Sequence, residues 1–262
     1  MEETLNFKGK DPGAVKYGNF INYYQFHPPD FRMSSLPMDL WKVPSGRDFI
    51  CLDIGCNSGD LTQALYKFLL KNIQEECECD PVDESSVNPS GCSILAVDID
   101  PVLIARARET NNYPSNIVYE HLDFMSEDRE KILSTFLRNH KTKKFDVIFC
   151  FSITMWIHLN HGDEGLHQFL VEVCRWTNEV VIEPQPWKCY RTAIRRMKRA
   201  GDTFPEFSNL KFRNNIECDI ERILQEECKF VKVGETTSTK WGRKTVIYKR
   251  KNPELNSMTC QN

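Results

Sequence analysis

Apolar residues fall into short, β-branched runs separated by longer stretches of mixed polarity. FICLDI (49–54), ILAVDID (94–100), NIVYEHLDF (116–124), FDVIFCFSIT (145–154) and EVVIE (179–183) are compact and nearly continuous. Such runs read as strands buried on both faces. The segments between them carry helical periodicity. One begins after the turn GCNSGDL and runs to about Leu70. PVLIARARE (101–109) has proline in its first turn, and SEDREKILSTFLRNH (126–140) reads as a helix capped by Ser126 with acids in the first turn. DEGLHQFLVEVCRWT (163–177) is a fourth helix, a basic helix follows EPQPW, and NIECDIERILQEE (215–227) is a sixth. FVKVGET (230–236) and RKTVIYKR (243–250) are the last two strands.

Strand alternating with helix predicts an α/β fold with a mostly parallel seven-stranded sheet covered on both sides. The final two strands have no helix between them, so they should form an antiparallel hairpin. This is the plan of the Rossmann-like class I methyltransferases. One domain over 17–250 is expected, with tails at 1–16 and 251–262 disordered. Residues 17–47 form an aromatic arm with six aromatics and a Pro-Pro in YGNFINYYQFHPPDFR, more a lid than a core element. Residues 74–91 carry six acids and no base, which reads as a solvated loop insertion.

Composition narrows this only slightly. Hydrophobic residues make up 40% and charged residues 27%, as in ordinary globular chains. No apolar run approaches the roughly 20 residues of a membrane span, and the polar N-terminus lacks a signal-peptide core. Eleven cysteines, several inside apolar strands, read as reduced thiols of a cytoplasmic protein. A net charge of −3 means that any nucleic-acid contact must come from a local patch.

The chemistry clusters at strand ends, where open α/β sheets hold ligands. In LDIGCNSGDL, Gly55 and Gly59 let the backbone approach a ligand, and the helix start offers free N–H groups. Asp53 suits a ligand ammonium. The second strand ends in VDID, and Asp98, with Asp100 the neighbouring option, can accept from two ribose hydroxyls. Asp123 in the third strand's LDF can accept from an exocyclic amine, and Phe124 can cover a ring. Each acid alone fits a helix cap equally well, but three at successive strand ends point to an adenosyl group. The spacing resembles the glycine turn of S-adenosylmethionine-dependent methyltransferases, with Asn57 where a third glycine is common.

Taken together, GNFINYYQFHPP, LDIGCNSGDL, DIDP, LDFM, TMWIHLNHGDEGL and EPQPWKCYR resemble the RNA 5′-phosphate methyltransferases of the bicoid-interacting type, over roughly residues 17–250. The resemblance implies methyl transfer from S-adenosylmethionine to a 5′-monophosphate of small RNAs such as histidine tRNA and precursor microRNA, which alters their processing. It implies cofactor contacts from Arg32, Asn57, Asp98, Asp123, Phe124 and Phe151. It also implies that Tyr24 lies at the phosphate. RNA-processing proteins are conceivable partners, and a monomer is expected.

A 5′-monophosphate has a second pKa near 6 and is already nucleophilic at neutral pH. What it needs is placement, with the reacting oxygen about 3 Å from the methyl carbon, and donors for its other oxygens. Lys188, Arg191, Tyr24 and His158 are the candidates. His158 and His161 lack an evident third ligand, so no metal is expected. Lys188, Arg191, Arg195 and Arg199 form a cationic stripe at helical spacing. Together with Trp187 and Tyr190 they suit a single-stranded RNA end. A catalytically silent RNA-binding module, or a methyltransferase acting on another acceptor, remains open on the sequence alone.

Overall fold

The computed structural model describes residues 14–38, 40, 41, 46–79 and 91–251, so both expected tails (save residues 14–16 and 251) and most of the acidic insertion lie outside the described residues. Seven strands form one sheet in the order β3-β2-β1-β4-β5-β7-β6. They are β1 (Phe49–Ile54), β2 (Cys92–Asp98), β3 (Ile117–His121), β4 (Val147–Phe151), β5 (Glu179–Glu183), β6 (Phe230–Glu235) and β7 (Val246–Arg250). The first five run parallel. β7 pairs antiparallel with both β5 and β6, as the missing crossover helix requires.

The helices are α1 (Tyr23–Phe26), α2 (Asp30–Met33), α3 (Asp60–Cys79), α4 (Pro101–Glu109), α5 (Asp128–Asn139), α6 (Thr154–Trp176), α7 (Trp187–Arg199) and α8 (Ile216–Arg222). Alternate residues of β1 feed two cores. Ile50, Leu52 and Ile54 pack with residues of α5, α6 and α7, whereas Phe49 and Cys51 pack with residues of α3 and α4. This two-sided burial explains the continuous apolar strands.

Four local expectations change. α3 continues to Cys79, into the segment read as a loop. Ser126 does not cap α5: its hydroxyl donates back to the Asp123 carbonyl (2.8 Å), and the helix starts at Asp128 without a side-chain cap. β4 stops at Phe151, and α6 starts at Thr154, well before the expected Asp163. A break at Gly162 (φ 70°, ψ −173°) interrupts α6, so the helical pattern of residues 163–177 does not carry back in sequence to Thr154. α8 ends in a π-turn over Ile223–Glu227.

Candidate active site

β1 has β2 on one side and β4 on the other, so the cleft above its carboxyl end is the switch point of the sheet. Gly55 lies there at φ 81°, and a Cβ on it would sit 2.3 Å from Ile153 Cγ2. Only glycine fits this turn. Asn57 follows at φ 52°, and its N–H donates to Asp98 Oδ2 (2.8 Å). The Asp100 N–H donates to Asp98 Oδ1 (2.9 Å). Each Asp98 oxygen is thus aimed by one backbone donor and keeps acceptor capacity. Burial pushes the Asp98 carboxyl up to about 6 despite these bonds.

A first cavity occupies this cleft. Gly55, Asn57, Asp98, Asp123, Phe124 and Phe151 line it from the sheet side, and Tyr17, Asn19, Tyr23 and Tyr24 from the arm. The aiming of Asp98, the glycine approach and the Phe124 ring suit an adenosyl group. The residues present therefore fit S-adenosylmethionine. Asp53 is buried beneath this surface and accepts from Thr62 Oγ1 (2.7 Å). Burial raises it to about 6. Gly59 (φ 84°) starts α3 against the Tyr119 hydroxyl. Asp100 does not line the cavity. It caps α4 by accepting from the Val102 and Leu103 N–H groups, and it holds the arm through Asn19 Nδ2 (2.7 Å).

A second cavity adjoins the first and shares Tyr23, Ser152 and Trp156 with it. Its wall includes His27, Gln185, Lys188, Arg196 and Arg243. Gln185, between its two prolines, receives the start of α6: its Oε1 accepts from the Met155 N–H (3.1 Å) and the Thr154 hydroxyl (3.2 Å), and its Nε2 donates to the Ser152 carbonyl. The stiff Pro-Gln-Pro corner thus fixes the exit of β4, where Ser152 itself sits at φ 58°.

Between the cavities lies a buried charge network. Arg32 pairs with Glu183 through two bonds, Nε to Oε2 (2.9 Å) and Nη2 to Oε1 (2.8 Å), and neither side chain touches solvent. Arg32 Nη2 also donates to the Tyr23 hydroxyl (2.9 Å) and to Ser152 Oγ (3.1 Å). Arg243 Nη1 donates to the same Ser152 Oγ (2.6 Å) and lies 3.6 Å from Glu183 Oε1. Ser152 Oγ in turn donates to Glu183. Arg32 is thus committed mainly to Glu183, and only its Nη1 has no partner.

The structure reassigns several acceptor-side candidates. Tyr24 lines the first cavity only, and its hydroxyl donates to the Cys56 carbonyl (3.1 Å) in the glycine turn. Burial, with Asp53 adding to it, pushes this phenol well up. Tyr23, one residue earlier, is the tyrosine that faces both cavities. His158 is fully buried, bonded to the Tyr190 hydroxyl (3.1 Å) and Asp163 Oδ1 (2.8 Å), so it is a bracing group rather than a phosphate donor. Tyr190 is equally buried, and so unavailable to RNA. Trp187 is sandwiched between Tyr190 and Phe207, with ring centroids at 4.8 and 5.7 Å, which occupies its stacking faces. The apolar side of α7 draws these aromatics inward.

The cationic stripe divides around α7. Lys188, Thr192 and Arg196 face the second cavity. Arg191, Arg195, Lys198 and Arg199 line an open groove with Ile194 and Phe207. Sequence reading missed Ser152, Gln185, His27 and Arg243 as site residues. Gln185 had a signal, its position between two prolines, whereas nothing local marks Arg243 in the loop before β7.

Residues 145–251 match the family described as Bicoid-interacting protein 3 (Bin3). The chain is 40% identical over 248 residues to an RNA 5′-monophosphate methyltransferase of Bos taurus, covering 92% of this chain and 82% of that protein. It is 40% identical over 260 residues to a pre-miRNA 5′-monophosphate methyltransferase of Xenopus laevis, covering 95% and 98%. Among solved structures, the CurJ carbon methyltransferase superposes with a TM-score of 0.50 at 16% identity, over 80% of this chain and 50% of that one. That likeness shows the shared class I methyltransferase fold.

Proposed function

The chain belongs to the family of RNA 5′-monophosphate methyltransferases, and on that premise we propose that it methylates the 5′-terminal phosphate of a small RNA, using S-adenosylmethionine. One observation carries the reading: a cavity ending in aimed carboxylates meets, at Tyr23 and Ser152, a cavity walled by Lys188, Arg196 and Arg243. The bound cofactor supplies an electrophilic methyl carbon. Asp98 accepts from the ribose hydroxyls, and Asp123 and Phe124 hold the adenine.

On the acceptor side, a phosphate dianion attacks without a general base, because its second pKa lies near 6. Lys188 and Arg243 neutralise its non-reacting oxygens. Glu183 offsets the Arg32 charge, so the nucleophilic oxygen is not over-stabilised. The open groove of Arg191, Arg195, Lys198 and Arg199 tracks the following phosphates. Histidine tRNA and precursor microRNA are the proposed substrates. Methylation removes negative charge from their 5′ ends and so alters processing. Cytoplasmic action is proposed with these substrates, and it rests on free thiols such as Cys51, Cys92, Cys150 and Cys174. Among the described residues no helix is long and apolar enough to cross a membrane.

The test uses labelled S-adenosylmethionine and one RNA carrying a 5′-hydroxyl, a 5′-monophosphate or a 5′-triphosphate. Label is expected on the monophosphate. Transfer to the hydroxyl form refutes the phosphate reading.

A further inference from the structure

Four buried side-chain nitrogens have no hydrogen-bond partner: His27 Nδ1 and Arg243 Nε, on side chains that line the second cavity, and Trp241 Nε1 and Arg32 Nη1, on side chains packed behind it, Trp241 against His27 and Arg32 against Trp241. Among the described residues only seven buried side-chain nitrogen or oxygen atoms share that condition. More than half of them therefore meet in one place. Unpaired buried donors oppose folding, and a concentration of them marks a site that a ligand completes.

The four side chains interlock. The His27 ring sits 4.7 Å from the Trp241 ring and 4.8 Å from the Tyr23 ring, centroid to centroid. The Arg32 guanidinium lies 5.5 Å from the Trp241 ring, and Arg243 Nη1 is 3.4 Å from the Tyr23 hydroxyl. His27 comes from the arm, whereas Trp241 and Arg243 come from the loop between β6 and β7. Two remote segments thus close on one cavity wall, to which His27 and Arg243 contribute directly.

The two rings differ from the guanidiniums in charge. An indole N–H is a neutral donor. His27 is held neutral as well, because burial, then Arg243 and Arg32, push its pKa down to about 4 against the opposing pull of Glu183. Neutral donors suit the non-reacting oxygens of a phosphate nucleophile, since they orient it without withdrawing the charge on which its attack depends.

We propose that His27 and Trp241 are acceptor-binding residues that donate, through Nδ1–H and Nε1–H, to the non-reacting oxygens of the RNA 5′-monophosphate. This assignment rests on the functional reading above and specifies how its acceptor is held.

The experiment measures equilibrium binding of one short RNA, with either a 5′-monophosphate or a 5′-hydroxyl, to the full chain saturated with S-adenosylhomocysteine. The affinity ratio isolates the phosphate. His27→Phe and Trp241→Phe preserve ring packing and remove the donor, and each should lower the ratio by about tenfold, as for a hydrogen bond to a charged group. His27→Asn places an amide near the position of Nδ1 and should hold the ratio within roughly threefold of wild type, whereas His27→Gln, which reaches toward Nε2, should not. Affinity for S-adenosylhomocysteine reports folding in every variant. The assignment is overturned if both phenylalanine variants keep the wild-type ratio, or if they weaken the two RNA forms equally, as purely structural residues would. A wild-type protein that binds both forms equally instead overturns the functional reading itself.

Discussion

Removal of the Glu183 carboxylate is the most direct challenge to the account of the charge network. Both side chains of the Arg32–Glu183 pair are fully excluded from solvent, and the side chain of the nearby Arg243 is only 11% exposed. Glu183→Ala leaves two buried guanidiniums without their shared anion. Breaking such a pair from one side costs about 3–5 kcal/mol. For a domain of this size each kcal/mol lowers Tm by roughly 2–4 °C, so a fall of roughly 6–20 °C is expected. The pair Arg32→Met and Glu183→Leu replaces both charges with apolar groups and should recover much of the loss, giving a coupling energy of about 2 kcal/mol or more in a double-mutant cycle. Denaturant unfolding of wild type, Arg32→Met, Glu183→Leu and the double variant measures it, with Glu183→Ala run alongside. A loss below about 1 kcal/mol for Glu183→Ala, or simple additivity, refutes the claim that the network is held by this pair.

The same residue sets a pH dependence. Burial alone would raise the Glu183 carboxyl, but the charge and hydrogen bonds of Arg32, helped by Arg243 and Ser152, bring it below its ordinary value of 4.5. The unfolded chain therefore binds the proton more readily than the folded one. The stabilisation is fully present above the unfolded value and is lost as pH falls through the folded value. Glu183→Gln should flatten the slope of stability against pH below about pH 5.

Three further outcomes follow from the site. Asp98→Asn should weaken S-adenosylmethionine roughly ten- to a hundredfold by calorimetry. Wild-type affinity should also fall on acidification through about pH 6, where this buried carboxyl gains its proton; a flat profile with unchanged affinity in the variant removes Asp98 from the ribose site. Gly55→Ala forces a Cβ to within 2.3 Å of Ile153 Cγ2 at φ 81°, so cofactor affinity should drop along with about 1–3 kcal/mol of stability, and a variant indistinguishable from wild type would show that the turn has room. The double change Arg195→Glu and Arg199→Glu should abolish RNA methylation and flatten the slope of log affinity against log salt by roughly 1.4 for two lost single-strand phosphate contacts, while cofactor affinity stays within about twofold; unchanged methylation removes the open groove from the RNA path.

Local physics made much of this protein legible in its sequence. Continuous β-branched runs specify doubly buried strands, and the alternation with helices specifies a parallel sheet, because each depends on residues a few positions apart. The absence of a helix between the last two strands specifies their antiparallel pairing for the same reason. The glycine turn and the acids at strand ends are legible too, since strand ends and βα turns are where this topology exposes backbone and carboxylates. Even so, Asp98 and Asp100 are two residues apart, and only the folded structure separates the carboxylate aimed into the cleft from the one that caps α4.

The acceptor side depended on tertiary structure almost throughout. Tyr23 and Tyr24 are adjacent and chemically identical, yet the packing of α1 turns one to both cavities and the other to the Cys56 carbonyl. Helical spacing defines the stripe on α7 but not which side of the helix the core claims, and the core took Tyr190 and bracketed Trp187. His158 has the chemistry of a ligand, but the break at Gly162 brings Asp163 to one ring nitrogen and α7 brings Tyr190 to the other. Arg243 and Trp241 gain a place beside Arg32 and His27 only because β7 pairs with β5 and carries its loop to the end of Glu183. Periodicity and turn chemistry are short-range, so the chain alone determines the elements and the cofactor turn. Which side chains share a low-dielectric pocket is a long-range outcome of how those elements pack, and it was decided only in the folded molecule.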